Sequence, residues 1–261
     1  MSHQNGNEQR LRNVLQNRSI DSAEVELLRA QIERRFLDQA NHFQANGFFS
    51  RLTNDDLRSS FELLDSTFFN GMCSRALDEG EHSLGFRLGK RMTSCGGRTT
   101  THFVNGKRGR KRFEIAISPR LISETFEHRE SVLVTGVACV SPLQAMLRIM
   151  EHEMVHMLEM LMWHDSSCAK KRFRSIAQRI FGHMQSTHQL LTPKEVASAC
   201  HQITVGNHVV FQANAHSYTG VVNHIECRAT VLVLDPKGIR YNDGNRYRKF
   251  YVPLSRLRKA N

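Results

Sequence analysis

Between Leu147 and Leu161 the chain reads LRIMEHEMVHMLEML, an apolar, methionine-rich stretch with His152, Glu153 and His156 in its middle. Residues four apart share one face of a helix, so His152 and His156 can point two imidazoles at a single ion. Neutral imidazole suits zinc. Glu153 would lie beside such an ion rather than on it. There a carboxylate can take a proton from an activated water and pass it to a leaving amine. The neighbours Met150, Met154, Val155, Met157, Leu158 and Leu161 are apolar enough to bury the helix. Two buried histidines and a buried glutamate need partners, and a metal supplies them. The methionines themselves read as core packing.

The positioning elements follow from period and punctuation. Ser141 with Gln144 fits a capping box and Pro142 suits the first helical position, which predicts a helix to about Met162. A further helix is expected over 169–181, with Phe173, Ile176, Ala177 and Ile180 as its stripe and Gly182 as its stop. Another short one runs from Lys194 to about His201. Upstream, residues 1–20 are polar and expected to be mobile. Val25, Leu28, Ile32 and Phe36 predict an amphipathic helix from Ser22 to about Asn46. A second runs from Thr53 to about Phe69, with Asn54 or Asp55 as cap and Gly71 ending it. TTTHFV and RFEIAIS read as strands joined through NGKRGRKR, whose Asn-Gly pair signals a hairpin turn. From Ile203 onward, short apolar runs separated by turn residues predict four or five strands in a small SH3-like β-barrel. The expected fold is therefore α+β. A helical extension covers 1–48, the motif-bearing domain 49–200 and the barrel 201–261.

The 261 residues are 40% hydrophobic and carry a net charge of +11. That composition allows a real core and favours a polyanionic partner such as DNA. Between Arg87 and Arg112 there are nine Lys or Arg and no Asp or Glu. Lys107, Arg108, Arg110, Lys111 and Arg112 of the hairpin are the expected nucleic-acid contacts, with Arg246, Arg248 and Lys249 of YNDGNRYRKFY in the barrel. Its aromatics, among them Phe211, Tyr218, Tyr241, Tyr247, Phe250 and Tyr251, read mostly as packing, with base stacking as the alternative. The six cysteines form no C-x-x-C pair, which reads as free thiols in a reducing compartment, one of them a possible metal ligand. No run of 18 apolar residues predicts a membrane span, and the polar first twenty residues do not read as a signal peptide. The expectation is a cytoplasmic protein, nucleoid-associated or nuclear if linked to DNA, and not secreted.

LRSSFELLDSTFFNG, a basic β segment, FEIAISPRLI and PLQAMLRIMEHEMVHMLEML together resemble the SprT-like metallopeptidase domain over roughly residues 50–190. The resemblance implies a zincin-like α+β domain with one Zn2+, His152 and His156 as ligands and Glu153 as general base. In the Spartan branch of that family the substrate is protein bound or crosslinked to DNA, and DNA activates cleavage. A hydrolase of that kind, with a DNA-repair role, is the implied function. FEIAIS, if it lay at the sheet edge above the metal helix, would pair with an extended substrate. The family's G-H-G-x-x-F segment is replaced here by WHDSSCAKKRF. His164 is the expected third ligand, with Cys168, His183 and His188 as alternatives. The tail resembles SH3-like or KOW-type modules. The rival reading is a nucleic-acid-binding protein whose zinc site is structural or vestigial.

Overall fold

The computed structural model describes residues 6–104, 109–226 and 228–260, in two compact units, Met1–Leu190 and Leu191–Asn261. The fold is α+β. In the first unit everything is arranged around one helix, α6 (Pro142–Trp163), of which only Gln144, His156, Met160 and Trp163 keep partial exposure. A helix apolar on all sides is stable only when surrounded, and the chain supplies a layer on each side. A three-stranded sheet covers one face. It is built from β1 (Ser83–Leu88), β2 (Gly97–Phe103) and β3 (Lys111–Ile117) in the order β1-β3-β2, and β2 and β3 pack on α6. Helices α3 (Asn54–Phe69), α5 (Pro119–His128) and α7 (Lys171–Phe181) pack elsewhere on it. A small hairpin, β4 (Val132–Val134) and β5 (Val137–Cys139), closes over its first turns.

The sheet corrects one expectation. FEIAIS lies in the central strand β3, parallel to β1 and antiparallel to β2, so the edge beside α6 belongs to β2. Phe113, Ile115 and Ile117 alternate as read, but Ala116 between them is buried as well. A strand covered on both faces belongs inside a sheet.

The ends of α6 are held by named groups. Ser141 Oγ accepts from Gln144 N (3.2 Å), and Gln144 Oε1 accepts from Val140 N (2.9 Å). At the other end His164 takes a left-handed conformation (φ 57°) and stops the helix. Its last carbonyls receive cations rather than backbone amides. Lys111 Nζ donates to Met160 O (2.8 Å) and Leu161 O (3.0 Å), and Arg12 Nη2 donates to Met162 O (2.6 Å). Positive charge at a helix C-terminus is favourable. Midway, buried Glu151 meets Arg29 of α2 (Ser22–Gln39) at 2.9 Å and His183 Nε2 at 2.8 Å. Arg148 Nη2 lies 2.9 Å from the other Glu151 oxygen, within ion-pair reach though outside hydrogen-bond alignment.

The N-terminal segment is structural. Helix α1 (Gly6–Asn17) buries Leu11 and Leu15 in the same core as α2, α3 and α6, so the described part of 1–48 packs with the first unit rather than as a separate extension. Helix α2 ends at Gln39 rather than near Asn46, and α3 is capped by Thr53 in a capping box with Asp56 rather than by Asn54 or Asp55. After Asn70, α4 (Met72–Glu79) follows at once.

The second unit begins ten residues before the expected boundary. Helix α8 (Pro193–His201), with its Thr192–Glu195 capping box, places Ala197 in the strand core, and Ile203 follows it there. The strands are β6 (His208–Ala213), β7 (His216–Ile225), β8 (Ala229–Arg240), β9 (Arg246–Val252) and β10 (Arg258–Lys259). They form one antiparallel sheet in the order β10-β6-β7-β8-β9, with a 3-10 turn over Leu254–Arg256. Val209, Phe211, Val222, Ile225, Val231 and Val252 fill its core. Among the described residues no helix is long and apolar enough to cross a membrane.

Candidate metal centre

His152 and His156 lie one turn apart on α6, and their rings meet edge to face with centroids 4.9 Å apart. The third member of the cluster comes from the α6–α7 loop. One donor atom each from His152, His156 and Cys168 fall within 4.8 Å of one another. Donors around a tetrahedral zinc, with bonds of about 2.0–2.3 Å, stand roughly 3.3–3.7 Å apart. A closing movement on the order of 1 Å therefore suffices. Phe173, in the first turn of α7, packs its ring against both imidazoles (4.8 Å to His152, 4.4 Å to His156).

Two observations test whether a metal fits. His152 is 5% exposed, and its Nδ1 is buried with no hydrogen-bond partner among the described residues. Such an atom costs on the order of 1–3 kcal/mol unless something binds the ring. The protonation states also suit a cation. Burial, with His188 and His156 nearby, holds His152 well below the ordinary histidine pKa, and burial brings His156 down to about 4. Both rings are neutral at pH 7, the form that donates to a metal. Two imidazole nitrogens and a thiolate sulfur are a zinc donor set.

Glu153 points to the sheet instead. Thr99 of β2 donates its hydroxyl toward Glu153 Oε2 (2.8 Å) and lies 2.9 Å from the Glu153 carbonyl. Gly97 makes the approach possible, since a Cβ there would fall 2.6 Å from both Glu153 Oε1 and Ile149 Cγ2. Glu153 is 3% exposed, and burial pushes its carboxyl up to about 7 despite the Thr99 hydrogen bonds. A carboxyl poised near neutrality can both take and return a proton.

The remaining expected residues fall in different places. His164 is the exposed cap of α6 and stands outside the three-residue cluster, which takes Cys168 in its stead. Helix α6 stops at left-handed His164, and Cys168 of the loop that follows joins the two imidazoles. His183 is buried in the Glu151 ion cluster and serves α6 structurally. His188 lies against His152 (5.0 Å), buried at its Nε2 and without a partner there among the described residues, but outside the cluster.

Of the hairpin cations, Lys107 and Arg108 lie outside the described residues, as does the Asn105–Gly106 turn. Arg110 is ion-paired with Glu81, and Arg112 is exposed. Lys111 is 3% exposed and holds the end of α6, so it is no nucleic-acid contact. In the second unit Arg248 pairs with Asp235 (2.9 Å), Arg246 donates to Gly238 O (3.0 Å), and Lys249 lies over the Tyr241 ring (5.6 Å). Phe211, Tyr218 and Phe250 pack on one another, whereas Tyr251 is exposed.

The residues missed by sequence reasoning are Thr99 and Gly97, for which the sequence signal was the Gly-Gly pair opening the TTTHFV strand. No protein-family model, curated protein or solved structure matches this chain.

Proposed function

We propose that the chain is a zinc-dependent endopeptidase of the SprT-like type acting on DNA-associated protein. The observation that carries this reading is the His152–His156–Cys168 cluster with the near-neutral carboxyl of Glu153 beside it. When bound, zinc would polarise a scissile carbonyl and acidify a water at the site. His152, His156 and Cys168 would hold it, with Phe173 packed against both rings. Glu153 Oε2, oriented by the Thr99 hydroxyl, would accept the proton of the attacking water and return it to the leaving amine. Strand β2 ends the sheet beside α6, and its outer edge can pair with an extended peptide and lay it past Glu153. The strand order of the second unit, with its 3-10 turn before β10, supports a small SH3-like barrel. Exposed Arg112 and Lys249, with the surrounding basic segments, support contact with DNA phosphates.

A single observation favours the rival of a structural zinc site. His188 Nε2, buried against His152, has no partner among the described residues, and a fourth protein ligand would close the position that a peptidase keeps open. Glu153→Gln separates the two readings. The peptidase reading expects about one zinc per chain in wild type and variant, with protein cleavage in the presence of DNA lost only in the variant. Zinc in both and cleavage in neither supports the structural site, and an absence of zinc in the folded wild type overturns both.

A further inference from the structure

A histidine can present only one ring nitrogen to a metal, and which one is decided by what holds the other. His156 Nδ1 lies 2.7 Å from Ser166 Oγ. Ser166 Oγ in turn donates to Glu159 Oε2 at 2.7 Å. Glu159 is fully buried on α6, and Arg172 of α7 donates to its other oxygen, Nε to Oε1 at 2.6 Å. The polarity of this chain is fixed. Beside a guanidinium the Glu159 carboxylate only accepts, so the single hydroxyl proton of Ser166 points to it. Ser166 then has only lone pairs for His156, and His156 must carry its proton on Nδ1. Its Nε2 lone pair is left for the cluster.

The same chain also holds the third donor in place. Ser166 is two residues before Cys168. Arg172 grips the loop again at Asp165, donating to its carbonyl (2.7 Å) and lying 3.3 Å from Oδ2. Its guanidinium sits over the Trp163 ring, 4.8 Å from the centroid, at the end of α6. Lys170 closes the loop from the other side through Asp165 Oδ2 (2.6 Å). A loop of this length would otherwise sample many places for the thiol.

We propose that Arg172, Glu159 and Ser166 form a positioning relay for metal uptake, setting the tautomer of His156 and the place of Cys168 in one connected network. This rests on the metal reading above. Hydrogen bonds behind a ligating histidine are worth about 10–100-fold in metal affinity. The relay therefore acts on affinity and coordination, through residues that do not touch the ion.

The test is zinc affinity of the full chain by competition with a chromophoric chelator, together with absorption spectra of the cobalt(II)-loaded protein. Ser166→Ala deletes one hydroxyl, and its fold is checked by circular dichroism and melting. The expected result is zinc affinity lower by about 10–100-fold, with a weaker thiolate-to-cobalt band in the near ultraviolet. Ser166→Thr keeps the hydroxyl and is expected to restore both to within a few-fold of wild type. Arg172→Gln is expected to weaken affinity in the same direction, and its combination with Ser166→Ala to fall short of the product of the two effects, because both break one chain. Equal affinity and spectra in wild type and Ser166→Ala overturn the relay while leaving the metal reading intact. So does a threonine variant as weak as the alanine one. A wild type that binds no zinc overturns both.

Discussion

Lys111 sits in a run of cations that reads as a DNA-binding hairpin, yet its ammonium group is buried against the carbonyls of Met160 and Leu161. Replacing it with methionine keeps most of the apolar stem and removes the charge. Two effects oppose each other. Burial brings the lysine pKa down to about 8 from 10.5, so keeping it charged in the fold costs roughly 3 kcal/mol, which the variant recovers. Against this, methionine leaves the Met160 and Leu161 carbonyls without this donor, about 1–3 kcal/mol for each buried acceptor. The stranded carbonyls win, and the net loss is about 1 kcal/mol. For a unit of this size that is a fall of roughly 2–4 °C in melting temperature. The assay is thermal and urea unfolding of Lys111→Met beside DNA affinity measured across salt concentrations. A phosphate contact would show itself as a salt slope reduced by about one, which is not expected here. An unchanged melting temperature with a reduced slope would falsify the assignment of Lys111 to the helix end.

Three further outcomes are expected. Gly97→Ala places a methyl group against Glu153 and Ile149, so cleavage should fall at least tenfold while zinc content stays near one per chain, at a stability loss of about 1–3 kcal/mol; a variant as active as wild type contradicts the packing of β2 on α6. Burial alone would raise the Glu151 carboxyl, but Arg148 and Arg29, with His183, bring it to about 2. Its contribution of about 3 kcal/mol is therefore present above pH 4.5 and lost as pH falls toward 2. Glu151→Gln should flatten that acid limb in urea unfolding, and parallel pH curves for the two proteins refute it. Burial, reinforced by Asp65 at Cys73, raises the Cys73 thiol well above its usual range, and burial brings Cys139 to about 12. Neither should react with a thiol reagent in the native protein. Cys95 and Cys168 should react, Cys168 only after zinc is stripped, and a Cys168 equally reactive with and without zinc speaks against its ligation.

The helices that carry the site were legible because their signals are local. The stripe Phe173, Ile176, Ala177 and Ile180 and the stop at Gly182 appear in α7 as read, and Ser141 caps α6. His152, Glu153 and His156 share a helix, so spacing alone places them. Cys168 does not share it. Its position depends on a left-handed residue at His164 and on a loop held by Arg172, neither of which has a periodic signature. Depth was illegible for the same reason. Charge counting treats Arg112 and Lys111 alike, but β3 alternates, and only one of the two faces solvent. Strand β1 is weakly marked because its burial is only partial and its partner β3 runs parallel, so no hairpin turn joins the two. Helix α1 has just two fully buried apolar residues, too few to stand out from a polar sequence.

Ties in the core around α6 join parts of the chain made far apart in time. Arg12 reaches Met162, Arg29 reaches the carbonyl of Phe181 (2.6 Å), and Arg179 reaches the carbonyl of Leu15 (2.6 Å). On a ribosome adding about 5–20 residues per second, α1 and α2 wait several seconds for the partners that bury them. Contacts of such long sequence separation also form late in folding. The cluster at His152, His156 and Cys168 can therefore settle only after α7 has left the exit tunnel. A nascent chain that stalls before that point carries His152, Glu153, His156 and Cys168 without the scaffold that shapes them, so an unfinished copy has no assembled cluster.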